Sequence, residues 1–236
     1  LGTSVSVIPY RHPIVTAKMV ASIDVLSEGR VIFGVGSGHE PGESEALGIP
    51  YEERGPMTDE YLRAMIAVWT QELCEFHGRY IDFSETKPIL KPVQQPYPPI
   101  HVGGGSRRAM RRAVELGQAW HPSALSPDQL EERIASLREM ESSLKRAEPV
   151  EVSLRWSVHL VDAPPAEGTL SGRGETQRRQ MTSEAAARIL RRYQELGVSH
   201  ITIDLPAHRI GNTPNVEVFA GQMERFAQEV RPAVGP

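Results

Sequence analysis

The chain has 236 residues, 39% of them hydrophobic and 24% charged, with a formal net charge of −4; this is the profile of a globular protein of one large domain or two small ones. The acidic balance argues against nucleic acid or an anionic membrane as the main partner. No apolar run reaches the roughly 18 residues needed to cross a bilayer, no signal peptide is visible, and a single cysteine, Cys74, excludes an internal disulfide framework and points to a reducing, cytoplasmic setting.

Strands and helices alternate along the chain. The first eight residues, Leu1 to Ile8, read as a buried strand, at about 2–8, and there is no starting Met. A helix is predicted at about 13–27, with Val15, Met19, Ile23 and Leu26 at helical spacing and Gly29 as its stop. Arg30 to Gly36 is a second strand, too continuously apolar to be half exposed. Thr58 is expected to cap a helix that buries Tyr61, Met65 and Trp69. Residues 76–83 read as a small hairpin, and the Pro-rich run 87–99 as an extended connection. Pro98 to Gly117 holds a short strand, three glycines, a serine and an amphipathic helix. Ala119 to Pro122 is a short strand.

Ser126-Pro127-Asp128-Gln129 is a strong helix start, with a capping serine, proline at the first position and Gln three residues after the cap. Leu130, Ile134, Leu137 and Leu144 mark one face of that helix. A strand at 150–161 precedes a polar stretch, 162–181, expected to be a mobile loop. Thr182 caps a helix with Ile189, Leu190, Tyr193 and Leu196 on its apolar side, ended by Gly197. A strand at 200–205 and a closing helix at 215–230 complete the chain. Six strand-then-helix units, with Glu-Leu-Gly repeated at 115–117 and 195–197, fit parallel βα units. A doubly wound sheet and a βα barrel are both compatible. A full barrel needs eight units and typically about 250 residues, so six units with a strand at residue 2 match a TIM-type barrel lacking its first two.

Two glycine clusters carry the chemistry. At Gly34-Val35-Gly36-Ser37-Gly38-His39-Glu40 the spacing fails the dinucleotide-binding fingerprint, because its third glycine would fall on His39 or Pro41, and Pro41-Gly42 argues against an immediate helix. Small residues at a strand's C-terminal end either clear space for a flat ring or only permit tight packing. The run Gly103-Gly104-Gly105-Ser106 precedes a helix whose first turn offers unpaired N–H groups and a positive dipole end. That is a phosphate or carboxylate site or, more simply, a βα turn. Arg107 and Arg108 add positive charge there, although exposed helices often carry such residues. No pair of histidines has metal-ligand spacing, so no metal is expected. His39 and His121 each follow a strand and are either structural or face a common mouth. His77 reads as a turn residue. Arg11-His12-Pro13 is either a helix-start turn or a ligand contact.

Several strings in order, Leu1-Gly2-Thr3-Ser4-Val5, Pro9-Tyr10-Arg11-His12-Pro13, Asp24-Val25-Leu26-Ser27 with Gly29-Arg30, and Gly34-Val35-Gly36 with Gly38, resemble the bacterial luciferase-like monooxygenase family. Phe76-His77-Gly78, Lys91-Pro92-Val93-Gln94, Pro98-Pro99-Ile100 with Val102-Gly103-Gly104, and Trp120-His121-Pro122 extend the likeness to about residue 122, with weaker likeness beyond. The resemblance is strongest to the branch using the deazaflavin coenzyme F420, with FMN users as near relatives.

The resemblance implies a single barrel domain over 1–236 that begins at the family's third strand and binds a flavin-type ring at its mouth. A bulge with a non-proline cis peptide, matched here by Ser4-Val5, would back the ring. The backbone from Gly36 through Ser37 and Gly38 to His39 would line its pyrimidine side. Gly103, Gly104, Gly105 and Ser106 would hold the coenzyme phosphate. The absent first units would supply substrate-facing residues, including the family's usual acid/base. His39 stands where some deazaflavin enzymes carry a carboxylate, and is the catalytic candidate as a proton donor. The expected function is F420-dependent hydride transfer involving a small organic substrate. The alternatives are an FMN-dependent monooxygenase and a non-catalytic flavin-binding protein or inactive fragment. A homodimer is the expected assembly. An open barrel would expose strand edges, so the isolated chain should oligomerise or fold poorly; a well-behaved monomer in light scattering would contradict this.

Overall fold

The computed structural model describes residues 1–88, 90–163, 179–205, 209–210 and 213–235. They group into two compact units, Leu1–His121 with Leu137–Glu151, and Pro122–Ser136 with Val152–Pro236. The first unit runs β1 (Ser6–Val7), α1 (Pro13–Leu26), β2 (Phe33–Gly36), α2 (Pro41–Ala46), α3 (Arg54–Thr70), β3 (Cys74–His77), β4 (Asp82–Thr86), β5 (Ile100–Gly103), α4 (Arg107–Leu116) and β6 (Ala119–His121). Helix α5 (Pro127–Ser143) has residues in both units. The second unit holds nearly all of β7 (Glu151–Leu160), then β8 (Arg179–Met181), α6 (Ser183–Glu195), β9 (Val198–Asp204), α7 (Val216–Arg225), a π-helical turn (Phe226–Val230) and α8 (Arg231–Val234).

In the first unit β1, β2, β5 and β6 lie side by side in that order, and every pair is parallel. Helices connect them, which is the arrangement parallel strands require. Helix α1 shows a reversal of the sequence pattern. Val15, Met19, Ile23 and Leu26, expected in the core, are exposed at 51%, 50%, 44% and 83%. The buried side is Thr16, Ala17, Val20, Ala21 and Asp24, because small residues let α1 approach α3 closely. The approach is fixed by the Trp69 indole N–H, which donates to the Ala17 carbonyl at 2.9 Å. On α3, Met65 and Trp69 are buried as expected, but Leu62 takes the place foreseen for Tyr61. That helix starts at Arg54, and Thr58 lies inside it, its hydroxyl donating to the Arg54 carbonyl.

The N-terminal segment is not the buried strand anticipated at 2–8. Only Ser6–Val7 is regular strand, Ile8–Tyr10 is a 3₁₀ turn, and Leu1 to Thr3 are exposed. Pro41 also starts a short helix, against expectation. Proline suits a first helical position, where its missing N–H has no intrahelical use.

Buried polar contacts pin the connections. Asp24, fully buried on α1, accepts from the backbone N–H and the side-chain amide of Gln94 at 2.9 and 2.7 Å, and that amide also reaches the Val31 carbonyl. The Pro-rich segment is thereby fixed to α1 and the start of β2. Lys91 donates to the carbonyls of Val68 and Gln71 at the C-terminal end of α3. The β3–β4 hairpin pairs Phe76 with Phe83 and His77 with Asp82. Its turn docks on α3, where Glu60 accepts the backbone N–H groups of Arg79, Tyr80 and Ile81 at 2.6–2.9 Å. Asp82 raises the His77 pKa above its ordinary value by hydrogen bond and charge. That contact therefore contributes at low pH and fades as pH rises through the raised value.

In the second unit β7 pairs in parallel with β8 and with β9. Trp156 and Tyr193 meet edge to face, and the Tyr193 hydroxyl donates to the Leu125 carbonyl. The start of α5 is the reciprocal cap read from sequence: Ser126 and Gln129 each accept the other's backbone N–H. Thr182 caps α6 as expected. Of the stretch 162–181 anticipated as a loop, 179–181 is strand β8 and 164–178 lie outside the described residues. No helix among the described residues is long and apolar enough to cross a membrane.

Arg112 of α4 is 3% exposed and donates to Asp59 of α3 at 2.5 Å and to the Gly55 carbonyl. Burial lowers its pKa, and Asp59 opposes that. Removing Asp59 strands a buried guanidinium, so Asp59→Ala should destabilise the fold by about 3 kcal/mol in urea unfolding; a change within about 0.5 kcal/mol would refute the role of this pair.

Candidate functional site

Side chains alternate across a strand, and register assigns the two faces of the four-stranded sheet. Phe33, Val35, Ile100, Val102 and Trp120 share one face, all buried. Helices cover it: Phe33 meets Trp69 of α3 edge to face, and Val102 packs at Gly117, where α4 ends. The opposite face carries Gly34 and Gly36 of β2, His101 and Gly103 of β5, and Ala119 and His121 of β6. Large apolar residues thus meet the helices, while the other face is small or histidine.

A bulge of β1 occupies that small-residue face. Gly2 bridges Ile32 and Ser6 pairs with Val35, so four steps along one strand match three along the other. One extra residue in one strand is a β-bulge. The Ser4–Val5 peptide within it is cis, as the resemblance implied. A Cβ on Gly34 would stand 1.8 Å from the Thr3 carbonyl oxygen. One on Gly36 or Gly103 would stand 2.7 or 2.9 Å from a Val5 methyl. These three glycines are therefore the floor on which the bulge rests. Val5 remains 37% exposed, its methyls lying over the glycine floor.

The Ser4 hydroxyl is hydrogen-bonded to His121 Nε2 at 2.8 Å. His121 is 5% exposed and faces His101, itself 7% exposed, with ring centroids 6.3 Å apart. Sequence reasoning left His121 open between structural and functional readings and overlooked His101. Its signal was a lone polar residue in the apolar run Ile100-His101-Val102.

Beyond β5 the chain turns through Gly103–Ser106 into α4. Gly104 has φ = +107°, a conformation that favours glycine. The Trp120 indole donates to its carbonyl at 2.8 Å. Nothing lies within 4 Å of where a Gly105 Cβ would be, so the turn is open on that side. Ser106 caps α4 by accepting the Ala109 N–H at 3.1 Å, which leaves its own hydroxyl hydrogen to donate. Arg108 is engaged by Asp59 through two bonds, whereas Arg107 sits exposed in the first turn. Helix-start N–H groups, an open turn and a hydroxyl donor fit a phosphate ester.

After β2 the chain passes through Ser37 and Gly38, the latter at φ = +83° beneath Val7 and the Tyr10 hydroxyl. His39 projects into solvent, 89% exposed, with Nε2 3.2 Å from Glu40. Its carbonyl accepts the Tyr51 hydroxyl. Cys74 is buried on the hairpin, and burial raises its thiol pKa, which suits a structural and not a nucleophilic role.

A profile of the luciferase-like monooxygenases matches residues 1–226. The chain belongs to the luciferase-like monooxygenase family. An uncharacterised protein of Mycobacterium tuberculosis is 32% identical over 145 residues, covering 61% of this chain and 49% of that protein. The FMNH(2)-dependent dimethylsulfone monooxygenase of Pseudomonas putida is 33% identical over 129 residues, 53% of this chain and 36% of that enzyme. The chain thus spans about half the length, or less, of these curated relatives. Among solved structures, the coenzyme F420-dependent tetrahydromethanopterin reductase of Methanopyrus kandleri superposes with a TM-score of 0.76. It covers all of this chain and 83% of the reductase at 15% identity, which shows a shared fold only. The fold is α/β, of the TIM-barrel class of these luciferase-like enzymes.

If the glycines at 34, 36 and 103 serve the bulge and Gly105 does not, alanine should separate them. Gly34→Ala should cost about 3 kcal/mol through a backbone clash, and Gly105→Ala should change stability by less than about 0.5 kcal/mol. Urea unfolding of both variants checks this; equal effects would refute the assignment.

Proposed function

We propose that the protein is a flavin-type oxidoreductase that binds coenzyme F420, with the ring against Val5 and the phosphate on the Gly103–Ser106 turn. The observation that carries the reading is the bulge itself. Three glycines across two strands support a half-exposed apolar side chain, beside an open turn at a helix N-terminus. An apolar platform suits a planar ring, and a ring with a phosphate-bearing tail uses both features at once. When bound, coenzyme F420 supplies hydride acceptance or donation at C5 of its ring.

The chain's own residues bind and orient. Val5 backs one side of the ring. The backbone from Gly36 through Ser37 and Gly38 lines its polar edge. Gly104, Gly105 and Ser106 hold the phosphate with main-chain N–H groups and one hydroxyl. His39, exposed at the end of this stretch, donates a proton from its imidazole to the ring edge or to the substrate. The substrate is a small organic molecule, and a second copy of the chain is the proposed partner.

One observation favours a second reading. The Pseudomonas relative, at 33% identity, is named for FMNH(2), and FMN shares the phosphate that the turn would hold. Under this reading the protein is an FMN-dependent monooxygenase.

Trp120 is bonded to the phosphate turn, so its fluorescence reports occupancy. F420 should quench tryptophan fluorescence with the lower dissociation constant, and tighter FMN binding would favour the second reading. Quenching by neither would overturn both. Gly105→Ala should weaken the bound coenzyme about tenfold by intruding on the phosphate; wild-type affinity in that variant would contradict the phosphate site. His39→Ala should lower kcat by about a hundredfold with little change in coenzyme affinity.

A further inference from the structure

We infer that His121 is a positioning residue for coenzyme binding, acting through Ser4 to hold the Thr3–Val5 bulge in the conformation that presents Val5. This deepens the proposed function and rests on it. Thr3 is tied to β2 and the residue that leads into it, by its N–H to the Ile32 carbonyl and its hydroxyl to the Gly34 carbonyl at 2.7 Å. The Ser4–His121 bond does something different. It joins residues 117 apart in sequence, reaching from the bulge before β1 past β2 and β5 to the end of β6.

The bond also lies where it can govern Val5. His121 is in register with Gly103, the glycine over which the Val5 methyls sit. Ser4 is the residue bonded directly to Val5, so turning the Ser4 backbone turns the platform. His121 is itself confined, buried and facing His101 on the same face. The end of β6 thus sets the angle of a side chain just before β1, with the glycine floor between them as the surface on which that side chain would otherwise slide.

Two readouts on Ser4→Ala, His121→Ala and the double variant test this, with F420 and FMN as probes. In the coenzyme-free protein, amide exchange over residues 3–7 should quicken about tenfold in each single variant. The affinity for whichever coenzyme the wild type binds should fall about tenfold in each, and about tenfold, not a hundredfold, in the double variant. Non-additivity is the mark of one shared interaction. Ser4→Ala removes a single oxygen from a half-buried side chain, so it keeps the test valid should His121→Ala fail to fold. Unchanged exchange, wild-type affinity in Ser4→Ala, or losses that multiply would each overturn the inference. A wild type that binds neither coenzyme would overturn the proposed function, and the exchange readout would still decide whether His121 holds the bulge.

Discussion

A carbonyl oxygen 1.8 Å from where a Gly34 Cβ would stand, and Val5 methyls 2.7 and 2.9 Å from where Cβ atoms would stand on Gly36 and Gly103, define the constraint on which the site depends. Strands β2 and β5 forgo side chains so that a neighbouring strand can fold its bulge onto them. A sheet usually fills such positions with Val or Ile, since packing stabilises it. Here the missing side chains give one valine a firm base and an open upper surface. The Gly103–Ser106 turn belongs to the same construction, because Gly103 is both the last residue of the floor and the first of the turn.

The two faces of this sheet divide the work. Phe33, Val35, Ile100, Val102 and Trp120 bury apolar surface under α3 and α4, at about 1.5–3 kcal/mol for each large side chain. The other face contributes little of that kind and holds glycine, alanine and histidine. Trp120 spans both roles. Its ring is in the core and its N–H fixes the Gly104 carbonyl. Polar contacts hold the segments around the site: Asp24 on Gln94, Glu60 on the hairpin turn, and Arg112 on Asp59. Each satisfies buried or backbone groups whose loss would leave an orphan, which costs more than the contact itself contributes.

Much of this was readable in the residues. The alternation of units, the caps at Ser126 and Thr182, the glycine stop at 117 and the hairpin at 76–83 follow from local chemistry that the chain states directly. The failure on α1 has a plain cause, which is that periodicity records apolar residues but not what covers them. Helix α1 has two apolar stripes, and the smaller, Ala17-Val20-Ala21, won the core because α3 could approach it closely. The start of the chain reads as a strand because bulge residues look like strand residues. The glycines at 34 and 36 read either as room for a flat ring or as tight packing, and what packs on them, Thr3 and Val5, lies more than 25 residues away in sequence. No local pattern links Ser4 to His121. The turn at Gly103–Ser106 and the start of α4 were legible as local structure, since a glycine turn and a helix start lie together in one short stretch.

The most direct test of the account is a crystal structure of the protein with its coenzyme bound. The account predicts phosphate oxygens accepting hydrogen bonds from the backbone N–H groups at Gly104–Arg107, and the ring laid against Val5. A coenzyme whose phosphate lies away from that turn, or whose ring makes no contact with Val5, would contradict it.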